Sequence, residues 1–291
     1  MRQGKLHGDV VLVLGVGKRR GITPTTARRC FEEGAFVFCV DVDPDGAQTV
    51  KAFDPELNRM AFTCGNPSTP EEAERIVAEC IDHFGPISHV ICGAGKAVGG
   101  SLVGASRELL EHNFDMNFFS ARSLVEAALE QMGDGGSIIF VSTDNVTHPA
   151  LLEGPYAVPK GAVETMTLHY AAELGERRIR VNAVRPAFVR TWGPNSKKRR
   201  TENPKYYEQI AATLLPLPYV PEPDDVSDAI VFLMTNRAIT GHVLPLDCGF
   251  STCAFTPLLK PSFPETLPVL ASAVETIKAR QAENEPIAVP Q

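Results

Sequence analysis

The chain has 291 residues, a net charge of -7, 44% hydrophobic and 22% charged residues, ordinary values for a globular protein whose core needs no disulfide or metal staple. The acidic balance argues against nucleic-acid and anionic-membrane partners, and no apolar run has the length that spans a bilayer. Seven cysteines, an odd number with no CxxC pair, point to reduced thiols in the cytoplasm and away from a zinc site.

The first apolar run, 10–14, passes at once into glycines, which marks a buried strand and not a signal peptide. Further short β-rich runs follow at 36–40, 60–64, 89–92, 137–142, 180–185 and 243–246. Between them, apolar residues recur at helical spacing over 70–84, 108–132 and 157–174. Strands that read as continuous apolar runs belong to a parallel sheet covered on both faces. The expectation is therefore an α/β fold: a single-domain, doubly wound parallel sheet over residues 1–250. Two stretches break the rhythm. Residues 191–223 are proline-rich, with a basic run at 197–200 and the aromatics Trp192, Tyr206 and Tyr207, and suit a lid over a pocket. The basic run itself reads as a solvated loop face. Residues 251–291 form a C-terminal extension with an apolar stripe of Val269, Leu270, Ala273, Val274 and Ile277, expected to dock near the lid.

The first strand runs into Gly15-Val16-Gly17-Lys18-Arg19-Arg20-Gly21-Ile22-Thr23. Glycines here permit a turn of unusual dihedrals and a close phosphate, which the next helix N-terminus can bind through its unpaired N–H groups. Asp41 closes the second strand, twenty residues after Gly21. A carboxylate there accepts from both ribose hydroxyls and repels a 2′-phosphate. Loop, strand order and spacing together predict a dinucleotide site preferring NAD.

Tyr156-Ala157-Val158-Pro159-Lys160 places a phenol and an ammonium four residues apart, on one helix face. A nearby ammonium lowers a phenol pKa, and such a Tyr can exchange a proton with a carbonyl or alcohol. Pro159 requires this helix to begin near Tyr156, so that the proline falls in its first turn.

These residues, with Gly136-Ser137-Ile138-Ile139-Phe140-Val141-Ser142-Thr143 before them and Arg180-Val181-Asn182-Ala183-Val184-Arg185-Pro186 after, closely resemble the short-chain dehydrogenase/reductase family over about residues 8 to 250. Cys92-Gly93-Ala94-Gly95 and Phe114-Asp115-Met116-Asn117 fall where that family has its Asn-Asn-Ala-Gly turn and its helix Asn. The resemblance implies a Rossmann fold and a set of roles. Tyr156 is the acid/base. Lys160 tunes Tyr156 and binds the nicotinamide ribose, and Asn117 holds a proton-relay water. Thr143 polarises the substrate carbonyl, with Ser142 as the alternative. Gly15, Gly17, Gly21, Ile22, Asp41, Asn66, Gly93, Ala94, Gly95, Pro186, Val189 and Thr191 complete the cofactor site.

The departures are specific. Thr23 stands where the family loop has its last glycine, Gly65 where an Asp contacts adenine, and Ala187 follows Pro186 in place of Gly. The loop length resembles the enoyl-thioester reductase branch, which spaces Tyr and Lys by seven; Val163 occupies that position here. The leading expectation is hydride transfer between NAD and a secondary alcohol or ketone, by a cytoplasmic homodimer or homotetramer with no bound metal. The alternatives are an enoyl-thioester reductase and a non-catalytic nucleotide-sensing or scaffold protein of the same fold.

Overall fold

A computed structural model describes residues 4–17, 20–191, 201 and 203–252. Lys18, Arg19, Trp192, the basic run 197–200 and the apolar stripe of the C-terminal extension lie outside the described residues. Seven strands form one sheet: β1 (Val10–Leu14), β2 (Phe36–Asp41), β3 (Met60–Cys64), β4 (His89–Cys92), β5 (Ser137–Val141), β6 (Arg180–Pro186) and β7 (Val243–Leu246). All are parallel, in the order β3-β2-β1-β4-β5-β6-β7. The sheet is the expected doubly wound one.

The helices are α1 (Ile22–Glu32), α2 (Gly46–Phe53), α3 (Pro70–Phe84), α4 (Arg107–Phe114), α5 (Ser120–Gln131), α6 (Gly154–Glu173), α7 (Tyr206–Thr213) and α8 (Pro223–Thr235). Period-two alternation divides β1 between two cores. Val10, Leu12 and Leu14 pack with Ile76, Leu124 and Val163 from α3, α5 and α6. Val11 and Val13 pack with Ala27, Val226 and Ile230 from α1 and α8. At the N-terminal edge of the sheet, His89 Nδ1 pairs with Ser137 Oγ at 2.9 Å and its Nε2 with Asp9 Oδ2 at 3.3 Å. This buried staple joins β4, β5 and the lead into β1. It leaves the opposite edge, where the strand order reverses between β1 and β4, to hold the loops.

Two helical expectations need correction. The periodic segment 108–132 is not one regular helix: α4 and α5 flank a turn of π-helix at Asp115–Phe119. Asn117 sits inside that wide turn, buried, and donates to Lys96 O at 3.2 Å and Asn113 O at 2.9 Å. A periodicity count does not resolve one inserted residue. The helix α6 starts at Gly154, with Pro155 in its first turn, so Pro159 is its sixth residue and not in the first turn. The proline removes the one intrahelical bond that Pro155 O would accept, and α6 continues across it.

The candidate active site

The strand ends and their loops enclose a cleft of about 720 Å³ at the reversal point. Every residue expected at the cofactor and reaction sites lines it except Asn117, which lies directly behind the wall. The cleft is assembled from four groups of residues.

The first follows β1. Gly15 has φ +105°, and a Cβ there would stand 2.6 Å from Ala94 N, so only glycine lets the β1 and β4 turns approach this closely. A Cβ on Gly17 would stand 3.1 Å from Asp41 Oδ2. The second glycine therefore clears space beside the carboxylate that closes β2. Thr49 of α2 anchors the loop by donating to Gly17 O at 2.7 Å. Gly21 caps α1 without a side-chain hydrogen bond, and Gly21, Ile22 and Thr23 face the cleft. Thr23, in a position the family gives to glycine, donates to Gly93 O at 3.3 Å and ties α1 to the β4 turn. Asp41 Oδ1 accepts from the Asp43 backbone N–H at 2.8 Å, while burial raises its pKa above the usual carboxylate value. Glycines a Cβ would fill, an uncapped helix start and a carboxylate beyond them fit a dinucleotide. Arg20 and Asn66 line the same end.

The second group comes from α6. Lys160 is buried; its Nζ donates to Val141 O at 2.9 Å and Ala94 O at 3.3 Å. Burial pushes its pKa down to about 8. Tyr156 is half-buried, with its ring centroid 6.0 Å from that Nζ. Desolvation pushes the phenol up to about 12, and a hydrogen bond with Thr143 offsets part of this. The expectation that Lys160 lowers the phenol therefore meets a different arrangement: two carbonyls hold the ammonium, and Thr143 is the group acting favourably on the phenolate. Asn117 Oδ1 is a buried acceptor with no partner, and the same Oδ1 would meet a Cβ on Gly95 at 2.7 Å.

The third group ends β5. Ser142 Oγ donates to Glu164 Oε1 at 2.6 Å. Glu164 also takes the Arg185 fork, at 2.8 Å to Oε1 and 2.5 Å to Oε2. Thr143 Oγ1 faces Tyr156 instead and reaches Asp144 Oδ1 at 3.4 Å. The fourth group closes the far end. Phe188, Tyr206 and Tyr207 line the cleft, and Tyr207 is buried with Ile210, Leu215 and Val220 in a small separate core. His148 rests on Phe250, ring centroids 5.2 Å apart, while Glu153 lines the cleft.

Glu164, Arg185 and Asp144 escaped the sequence reading. Glu164 was legible in one respect, since it falls four residues after Lys160 and eight after Tyr156, on the same face of α6. Among the described residues there is no cluster of three or more metal-ligating side chains.

Residues 15–251 match the family described as enoyl-(acyl carrier protein) reductase. The chain is 30% identical over 251 residues to L-rhamnose 1-dehydrogenase (NAD(P)(+)) of Sphingomonas sp., covering 84% of this chain and 96% of that one. It is 28% identical over 274 residues to an uncharacterised NAD-dependent oxidoreductase of Mycobacterium tuberculosis, covering 85% and 98%. Among solved structures, a mutant short-chain dehydrogenase/reductase of Serratia marcescens superposes with a TM-score of 0.74 at 24% identity, covering 85% and 99%. With its parallel sheet, its glycine turn and its Tyr–Lys helix accounted for, the chain belongs to the short-chain dehydrogenase/reductase family.

Proposed function

We propose that the protein is an NAD-dependent alcohol dehydrogenase/ketoreductase acting on a secondary alcohol or ketone. The observation that carries this reading is the gathering of Tyr156, Lys160 and Thr143 at one end of a single cleft whose other end presents Gly17 and Asp41. Gly15, Gly17, Gly21, Gly93 and Gly95 would let the dinucleotide lie against the backbone, Asp41 would take the adenosine ribose, and Lys160 the other ribose. When bound, the cofactor supplies or accepts the hydride. Thr143 donates to the substrate carbonyl oxygen, and Tyr156 delivers a proton to that oxygen in reduction or removes it in oxidation. Lys160 and the Asn117 Oδ1 acceptor lead the proton onward behind Tyr156. Pro186, Val189 and Thr191 flank the nicotinamide end.

The test is turnover of a ketone panel by the full chain with NADH and with NADPH. NADH-dependent reduction that Tyr156→Phe abolishes supports the reading. A folded protein inert with both cofactors overturns it and favours a nucleotide-binding scaffold. The matched family's description favours a second reading, reduction of an enoyl thioester. The four-residue Tyr156–Lys160 spacing stands against it, and a crotonyl thioester in the same assay separates the two. The assembly we infer is a homodimer or homotetramer through α4, α5 and α6, where Phe119 and Leu168 are exposed. No helix among the described residues is long and apolar enough to cross a membrane; the cytoplasmic site of action we infer rests on the odd, unpaired set of cysteines.

A further inference from the structure

The loop after β5 places a second polar group beside the first. Thr143 is extended, and Asp144 opens a short 3₁₀ turn, Asp144–Val146, whose Asn145 N–H is met by Thr143 Oγ1 at 3.4 Å. Both residues line the cleft. Thr143 Oγ1 also donates to Asp144 Oδ1 at 3.4 Å, long for a hydroxyl–carboxylate bond. A carboxylate has about four lone-pair sites, so this weak bond and one from its own backbone N–H leave acceptor capacity unused. Neighbouring charges do not consume it. The Arg185 fork is closed on Glu164, Asp247 accepts from the Gly249 and Ser251 N–H groups at 2.9 Å, and His148 acts on Asp144 through space.

A substrate carbonyl that takes the Thr143 proton leaves Asp144 without even its weak donor. A half-buried carboxylate stripped of a donor is costly. A hydroxyl on the carbon next to the carbonyl restores it, because oxygens on adjacent carbons stand within about 3 Å of each other. The 3.4 Å between Thr143 Oγ1 and Asp144 Oδ1 is a few tenths of an ångström longer, close enough for one group to meet each oxygen. We propose that the substrate is an α-hydroxyketone, or the vicinal diol formed from it, with Asp144 accepting a hydrogen bond from the hydroxyl beside the reacting carbonyl; this rests on the hydride-transfer reading above. That hydroxyl is not consumed. In reduction the carbonyl carbon gains the hydride, the carbonyl oxygen gains the Tyr156 proton, and a vicinal diol leaves.

Paired probes test this with the full chain: butanone against acetoin, and cyclohexanone against its α-hydroxy derivative, each with NADH and NADPH. The expected result is a kcat/KM preference of about ten- to a hundredfold for the hydroxyketone of each pair, the scale of a hydrogen bond to a charged group. Asp144→Asn and Asp144→Ala should shrink that ratio at least tenfold, chiefly through the hydroxyketone KM. Equal rates within each pair overturn the hydroxyketone inference and leave hydride transfer standing. A preference that survives in both variants also overturns it. No turnover of any ketone with either cofactor removes the inference together with the reading beneath it.

Discussion

The Ser142 hydroxyl donates to Glu164 Oε1 at 2.6 Å, while the next hydroxyl along the chain, that of Thr143, faces Tyr156. The two candidates at the end of β5 are thereby separated: the Ser142 proton is committed to Glu164 at 2.6 Å, whereas the Thr143 proton makes only a long bond of 3.4 Å to Asp144 beside the phenol. Thr143→Ala should lower kcat by about 10²–10³-fold, the usual scale for losing one oxyanion donor. Ser142→Ala should act on stability first, by about 1–3 kcal/mol for a lost bond to a charged acceptor, with a kcat loss at least tenfold smaller. Steady-state kinetics beside chemical denaturation checks both; reversed effects would exchange the two roles.

Glu164 and Arg185 are nearly covered, with side-chain exposures of 11% and 17%. Their Oε2–NH2 separation is 2.5 Å, and the Glu164 bond holds the Arg185 pKa above its ordinary value. Removing one charge of such a pair leaves the other uncompensated, so Glu164→Gln should cost about 3–5 kcal/mol. Adding Arg185→Met should recover part of that loss. Urea denaturation of the two singles and the double measures the coupling.

Tyr156→Phe keeps the ring and removes the proton. With the phenol pushed up to about 12, Tyr156 carries its proton at neutral pH, the form that the acid step of reduction consumes. The Phe variant should retain cofactor binding, read by fluorescence titration, and lose about 10²–10⁴-fold in kcat. Near-normal turnover in the variant would remove Tyr156 from the mechanism.

On the proposed reading, cofactor choice turns on Asp41 and the space that Gly17 leaves beside it. We expect kcat/KM to favour NADH over NADPH, and Asp41→Ala to narrow or reverse that ratio by relieving repulsion of the 2′-phosphate. Gly17→Ala places a methyl 3.1 Å from the Asp41 carboxylate and should raise the NADH KM. A wild-type preference for NADPH would show that the cationic loop, with Arg20 at the cleft, outweighs the carboxylate.

Asp144 makes stability depend on pH. Burial raises its pKa from 3.8 to about 6, so between roughly pH 4 and 6 the folded protein binds a proton that the unfolded chain releases. Stability from this group should therefore fall as pH rises through that window. Asp41, also raised by burial, contributes with the same sign. Asp144→Asn should flatten the slope of the denaturation midpoint against pH; an unchanged slope would place the effect elsewhere.

The strands were legible because each is a short apolar run ending in glycine or a polar residue. Four of the seven carry the expected bounds, and β2, β5 and β6 differ by one residue at their C-terminal ends. The glycine loop, Asp41, Tyr156 and Lys160 were legible through motif spacing, and the other expected cleft residues through the family resemblance. What escaped was tertiary. The π turn around Asn117 is stabilised by a bond to Lys96 O, twenty-one residues away. The commitment of Ser142 depends on Glu164, twenty-two residues on. The raised phenol of Tyr156 reflects surrounding protein that no local pattern encodes. The start of α6 at Gly154 follows from Pro155 pre-setting the first helical turn, a signal that the later Pro159 obscured.

The reversal of strand order between β1 and β4 gives the two ends of the cleft separate custodians. Gly17, Asp41 and Asn66 hang from β1, β2 and β3, whereas Thr143, Asp144 and Phe188 hang from β5 and β6. Between them stands the β4 turn, Gly93 to Gly95. On the proposed reading, replacements that retune the adenosine end would be physically remote from those that retune the substrate, and distant sites combine nearly independently. A lineage carrying this sheet can exchange one specificity while inheriting the other intact, and a laboratory can recombine the two halves in the same way.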